Sequence, residues 1–315
     1  MATKAQYDAI TKAIIASLEK GTIPWEKPWK SPRRDGFNPN TPHNAISGKA
    51  YRGLNVLTLW VVAAEKGYAS ESWLTYNQAK KAGGNVLKGE KSTLVFFWDF
   101  KEREVEDEKT GEVKRKKVAF VKMFSVFNIA QTENVTLPKK IAAQQPEQEP
   151  EDDGFDVIEA AESVAEAYLA STATELVHHD QDRAFYSPSG DYIRLPRRTA
   201  FVSPEDYASV KFHEIAHSTG HHSRLGRFAE GSSANAPFGS EDYSFEELIA
   251  ELSAAFLSSA TGIDNTREHS ASYIASWLRV LKNDTSFISK AATQAQRVAD
   301  LVLAASTEAA VEGSK

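Results

Sequence analysis

His213-Glu214-Ile215-Ala216-His217, followed further along by Glu246-Glu247-Leu248-Ile249-Ala250-Glu251, constrains this chain more than any other feature. Residues four apart on a helix share one face, so His213 and His217 can aim imidazole nitrogens at a single metal ion. Glu214 is turned to the side of that face, where it can serve as base to a water at the metal. This is the pattern of a zinc hydrolase. It requires the motif to be helical and a second, acid-bearing helix to lie beside it.

The flanking residues favour such a helix. Ser203-Pro204-Glu205-Asp206 reads as an N-cap, a proline at the first helical position and acids in the first turn, where the helix dipole favours negative charge. Tyr207, Val210, Phe212, Ile215 and Ala216 supply apolar positions, and Gly220 marks a stop. A second helix is expected from about Phe245 to Ser259, with Leu248, Leu252, Ala255 and Phe256 on its buried stripe. Its carboxylates Glu247 and Glu251 are one turn apart, and Glu246 is expected to face solvent. A longer pattern, H-E-x-x-H-x-x-G-x-x-H, fails: Gly220 is in place, but Ser223 stands where the last histidine should be. His178 and His179 read as strand-end or surface residues.

The acidic helix is similar to that of the gluzincin superfamily. There the third ligand is a glutamate on a second helix, and an acid four positions later holds the first histidine by its other nitrogen. The resemblance implies Glu247 as the metal ligand and Glu251 as the group that fixes the His213 ring. The reverse assignment, with Glu251 on the metal, stands as the alternative. Zinc is the expected ion, and another divalent metal such as Mn2+ suits the same donors.

Composition divides the chain in two. The net charge is -6, but residues 1–140 hold 24 Lys/Arg against 15 Asp/Glu, and the remainder holds 13 against 28. A basic first half attracts a polyanion, and an acidic second half discourages one. Between them, AAQQPEQEPEDDG has too little apolar surface to order itself. The expected organisation is therefore a domain over 1–137, a flexible acidic linker over 138–153 and a second domain over 154–315. The absence of cysteine points to a reducing compartment. The opening MATKAQYDAITKAIIASLEKG has no uninterrupted apolar core, and no run is long enough for a membrane span. A cytoplasmic protein with no membrane partner is expected; the oligomeric state is left open.

Five of the six tryptophans, Trp25, Trp29, Trp60, Trp73 and Trp98, fall in the basic half. Several adjoin cations, as in Pro24-Trp25-Glu26-Lys27-Pro28-Trp29-Lys30 and Tyr51-Arg52-Gly53-Leu54-Asn55. Bases of a single strand stack on aromatic faces while Lys and Arg neutralise phosphate. Trp60 and most of Leu94-Val95-Phe96-Phe97 read as core. Trp25, Trp29, Tyr51, Arg52, Asn55, Trp73, Lys88 and Lys91 are the candidate contacts to single-stranded DNA. Helices are expected near 3–20 and 53–66, a short one entered through Trp73 to Ala79 and closed by Gly83-Gly84, and strands at about 92–100 and 117–127 joined by a charged arm. Gly84 to Ser92 resembles a P-loop, but a strand-like run follows where a phosphate-binding helix should open.

Taken together, these motifs resemble the ArdC family of plasmid antirestriction proteins. The carriers in the first half are Leu18-Glu19-Lys20-Gly21, Pro24-Trp25, Pro28-Trp29, Tyr51 to Asn55, Trp73-Leu74-Thr75 and Gly84 to Lys91. In the second half they are HEIAH, EELIAEL and His269 to Leu278. The resemblance implies an α+β chain of two domains: a mixed α/β domain that binds single-stranded DNA, and a helix-rich, zincin-like domain with a small edge sheet. It implies a protein that shields DNA entering by conjugation from host restriction, with a host restriction protein as a candidate target. Were the second domain a peptidase, Glu214 would be the base, with Tyr273 or His269 as donor to the oxyanion; packing or capping is the other reading of those two. Tyr192-Ile193-Arg194-Leu195-Pro196 is expected as an edge strand above the cleft. The alternative function is a DNA-binding accessory of transfer or priming whose metal site is structural or inactive.

Overall fold

A computed structural model describes residues 4–20, 23, 25, 41–106, 113–138, 158–180, 183–228, 240–263 and 271–312. Trp29, His269 and nearly all of the expected linker lie outside the described residues, and Tyr273 is described in its backbone alone.

The first half begins with α1 (Lys4–Glu19), β1 (His43–Asn44) and α2 (Leu54–Lys66). The apolar run LNVLTLWVVAA buries most of α2, and Gly67 ends it with a left-handed φ of 66°, its N–H reaching back to the Ala63 and Ala64 carbonyls. β2 (Ser72–Thr75) leads directly into the short α3 (Tyr76–Lys81). Thr75 makes the switch through a capping box with Gln78, so Trp73 sits on a strand and not in the helix expected there. β3 (Asn85–Val86) precedes the long hairpin of β4 (Thr93–Glu106) and β5 (Val113–Asn128), and β6 (Thr132–Glu133) pairs back with β3. The main sheet runs β1-β2-β5-β4. No helix follows Gly84 to Ser92, in keeping with the rejection of a P-loop.

The second half comprises α4 (Glu159–Thr172), β7 (Glu175–His179), β8 (Phe185–Ser187), β9 (Tyr192–Pro196), α5 (Pro204–Ser218), α6 (Glu241–Ala260), α7 (Ala271–Asn283) and α8 (Phe287–Glu312). Its sheet order is β7-β9-β8. β9 is therefore the central strand, parallel to β7 and antiparallel to β8, which corrects the expectation of an edge strand there. Its inward Ile193 and Leu195 are fully buried, and its ladder groups are consumed on both sides.

The two halves share one hydrophobic core. Trp25 meets Trp277 of α7 edge to face at 5.7 Å, and Trp60 of α2 packs on Phe256 of α6 at 6.0 Å. Polar ties cross the same seam: Thr41 Oγ1 lies 2.7 Å from Ser259 Oγ, and Gly53 N–H donates to Gln296 Oε1 at 2.9 Å. α6, which carries Glu246, Glu247 and Glu251, thus touches both its own half and the first. No described helix is long and apolar enough to cross a membrane.

Candidate metal centre

Local sequence puts both motif helices where they must be. Ser203 Oγ accepts the Asp206 N–H at the start of α5, and Ser240 Oγ accepts that of Tyr243 at the start of α6, a full turn earlier than the sequence suggested. At the other end of α5 the chain doubles back over Gly220, against which the Phe228 ring packs so closely that a Cβ would lie 2.5 Å from it. This return delivers two arginines to the last turn. Arg224 Nε donates to the Ser218 carbonyl at 2.7 Å, and Arg227 Nη2 to that of Ala216 at 2.8 Å. Cations there satisfy orphan carbonyls and oppose the helix dipole.

Across the α5–α6 contact, His213 Nε2 and His217 Nε2 stand 3.1 Å apart. Glu247 offers one carboxylate oxygen to each, both at 3.6 Å, and the three donor atoms lie within 4.8 Å of one another. A tetrahedral ion with bonds of about 2.0–2.1 Å would space its ligand atoms roughly 3.3 Å apart, so the triangle fits. The opposite nitrogens are held by acids: His213 Nδ1 lies 2.9 Å from Glu251 Oε1, and His217 Nδ1 lies 3.2 Å from Glu246 Oε1. A carboxylate beside each Nδ1 favours the proton on that nitrogen, which leaves each neutral ring with a bare Nε2 lone pair turned inward. Two such lone pairs at 3.1 Å repel unless a proton or a metal ion lies between them. A proton would leave the Glu247 oxygens 3.6 Å away unused, whereas a metal engages all three. The donor set fits a divalent ion.

Burial alone would raise the Glu247 carboxyl, but the adjoining imidazoles of His213 and His217 outweigh it and hold it at about 2. Its ionised form therefore gains from positive charge between the rings, whether carried by a proton or by a metal. Glu246 corrects the expectation of a solvent-facing side chain. It is buried, receives Arg227 through Nε at 3.0 Å and Nη2 at 2.7 Å, and holds His217. Burial raises its carboxyl as well, yet Arg227 and His217 bring it below the usual range. Glu214 is buried on the same turn as His213. His221 and His222 lie beyond α5, the first with Nδ1 2.8 Å from Ser223 Oγ.

The first-half candidates separate by burial. Trp25 and Trp73 are core residues, at 2% and 0% exposure, and have no face left for a base. Asn55 is also structural: its amide exchanges two hydrogen bonds with the Phe96 backbone, at 2.7 and 2.8 Å. Arg52 is exposed and pairs with Asp300 of α8. Lys88 and Lys91 are exposed in the turn before β4. Among the described candidates, Tyr51 is the one that lines a groove of about 850 Å3 between α3 and the β4–β5 hairpin. Its other large side chains, Tyr76, Phe97 and Phe124, were not singled out in the sequence, where Phe97 reads as strand core.

Residues 4–127 match the family model described as the N-terminal domain of anti-restriction factor ArdC, and 163–294 match a zincin-like metallopeptidase. The chain is 34% identical over 309 residues to the uncharacterized protein y4eC of Sinorhizobium fredii (strain NBRC 101917 / NGR234), covering 96% of this chain and 93% of that protein. It is 34% identical over 317 residues to a DNA primase TraC of Escherichia coli, but spans only 27% of the primase's length. The crystal structure of antirestriction ArdC from the R388 plasmid superposes in its metal-free form with a TM-score of 0.71 at 39% identity, covering 96% of this chain and 98% of that one. Its Mn(II)-bound form gives 0.70 at 38%, covering 95% and 97%. With one half like the N-terminal domain of ArdC, the other zincin-like, and a solved ArdC matched nearly end to end, this chain belongs to the ArdC family of antirestriction proteins.

Proposed function

We propose that this protein binds single-stranded DNA through its first domain, protects DNA entering by conjugation from host restriction, and carries a divalent-metal-dependent peptidase centre in its second. The observation that supports the centre is the convergence of two imidazole lone pairs and a carboxylate, with both Nδ1 atoms anchored by buried acids. His213, His217 and Glu247 would hold the ion, with Glu251 and Glu246 fixing the two rings. When bound, a zinc or manganese ion supplies Lewis-acid polarisation and makes water acidic enough to react at neutral pH. Glu214, beside His213, takes up the released proton and returns it to the leaving amine. Tyr273, on α7, is assigned as donor to the developing oxyanion. A cytoplasmic site of action and a host restriction protein as target complete this reading.

The likeness to TraC favours a second reading, in which the protein is a single-strand-binding accessory of DNA transfer or priming and its metal centre is structural or inactive. Glu214→Gln separates the two. On the first reading the variant retains metal and DNA binding but loses metal-dependent peptide hydrolysis and protection from restriction. Protection equal to that of the unaltered protein would favour the second.

A further inference from the structure

The groove between α3 and the hairpin combines apolar exposure with positive charge. Tyr76, Phe97 and Phe124 are 50%, 44% and 42% exposed and lie around one depression. Strand register explains the cluster. Phe97 stands opposite Lys122, and Val95 opposite Phe124, so Phe97, Lys122 and Phe124 share one face of the hairpin. The Phe97 and Phe124 rings meet edge to face at 5.4 Å, and Tyr51 supports Phe97 from below at 6.2 Å. Across the groove, Lys80 lies 5.9 Å over the Tyr76 ring. Lys122 lines the groove itself, and exposed lysines follow along the chain at the end of α3 (Lys81) and in the stretch before β4 (Lys88 and Lys91). A contiguous aromatic surface of this kind is costly in water and marks a binding face. Its cationic margin suits a polyanion with flat, apolar faces.

We infer that this groove is where the first domain takes unpaired bases, with Tyr76, Phe97 and Phe124 as stacking platforms and Lys122 on the phosphates. The assignment rests on the reading that the first domain binds single strands, and it replaces the buried Trp25 and Trp73 as the contacts. The polar groups in the groove add a second feature. Asn44 and Gln78 exchange hydrogen bonds with each other at 3.0 and 3.2 Å. Asn44 Oδ1 also accepts the Ile46 and Ser47 N–H groups, and Gln78 Oε1 accepts that of Thr75. These two amides, already committed to each other, are not free to read base edges, which leaves Asn77 as the groove's other amide and Ser125 among its hydroxyls. Stacking therefore carries most of the recognition here, and stacking is tolerant of base identity.

The test is fluorescence-polarisation binding of the full chain to labelled single strands of oligo-dT, oligo-dC and mixed sequence, and to a duplex of the mixed sequence. Tyr76→Ala and Phe124→Leu should each weaken single-strand binding roughly 5- to 150-fold, the range for loss of one stacked base. Phe124→Leu keeps an apolar side chain but removes the ring, and Phe124→Trp should restore binding, so a fold defect is told apart from lost stacking. The unaltered protein should bind the three single strands within about tenfold of one another and prefer them to duplex. If it prefers single strands but both variants bind as it does, the groove assignment falls and the single-strand reading survives. If it shows no preference for single strands, that reading fails and the groove assignment with it. If the variants lose capture of unstructured peptides while binding DNA unchanged, the groove belongs to a protein partner and the inference is overturned.

Discussion

A histidine becomes a well-aimed ligand only when its second nitrogen is fixed, and here two different glutamates fix two different rings. Glu246→Gln should therefore weaken zinc or manganese binding about 10- to 100-fold, measured by calorimetric titration, although this residue touches no metal donor atom. Unchanged affinity would remove it from the site. Its role was illegible in the sequence because helical periodicity places Glu246 off the Leu248–Leu252 stripe. What buries it is Arg227, brought from a distant turn. Residue type misled in the first half for a related reason: Trp25 beside cations and Trp73 in the same basic half fit a stacking groove, and only tertiary packing shows them facing inward. A second prediction concerns Asp191. Burial raises its carboxyl, but hydrogen bonds from Arg224 and Tyr186 and the Arg224 charge hold it below the usual range. A depressed carboxylate stabilises the fold above its unfolded pKa and loses that contribution as pH falls through its folded one. The melting-temperature deficit of Asp191→Asn should thus be largest near pH 7 and shrink progressively below about pH 4. A deficit that stays constant down to about pH 3 would contradict it.

At the scale of elements, α5 serves two neighbours with opposite faces. One face carries His213 and His217 toward α6; the other carries Lys211, whose ammonium lies 2.6 Å from the Glu162 carboxylate of α4 in a nearly dry contact. Removing Lys211 leaves the buried Glu162 carboxylate with only the half-exposed Arg198, at 3.7 Å. Lys211→Met should cost about 3–5 kcal/mol in chemical denaturation, and adding Glu162→Leu should recover much of that loss. A double variant no better than the single would mean that the pair is not what joins these helices. Helix placement was largely readable: Ser203-Pro204 and Gly67 mark the boundaries the structure has, because capping is a local matter. Strand order was not. The sequence of Tyr192 to Pro196 suits a strand, but nothing within it says that β7 and β8 flank it on both sides. Trp73-Leu74-Thr75 was mistaken for helix because its capping box begins at Thr75, after the strand has been laid down.

For the whole molecule, the consequential feature is that a basic half and an acidic half are built on one core. Trp277 is fully buried against Trp25, so Trp277→Ala should cost about 3–5 kcal/mol and shift the unfolding of both halves together. Separate transitions, with first-half tryptophan fluorescence unmoved, would show the halves to be independent. The charge division was plain in the sequence; the shared core was not, because apolar runs reveal burial without revealing the partner. The proposed peptidase centre depends on α5 and α6 bringing three donors to one ion. The direct measurement is an anomalous difference map from crystals of the full chain soaked in Mn(II) or Zn(II) and collected at the metal's absorption edge. One strong peak is expected about 2.0–2.2 Å from His213 Nε2, His217 Nε2 and a Glu247 oxygen. No peak there, or a peak bound to Glu251 with Glu247 turned away, would contradict it.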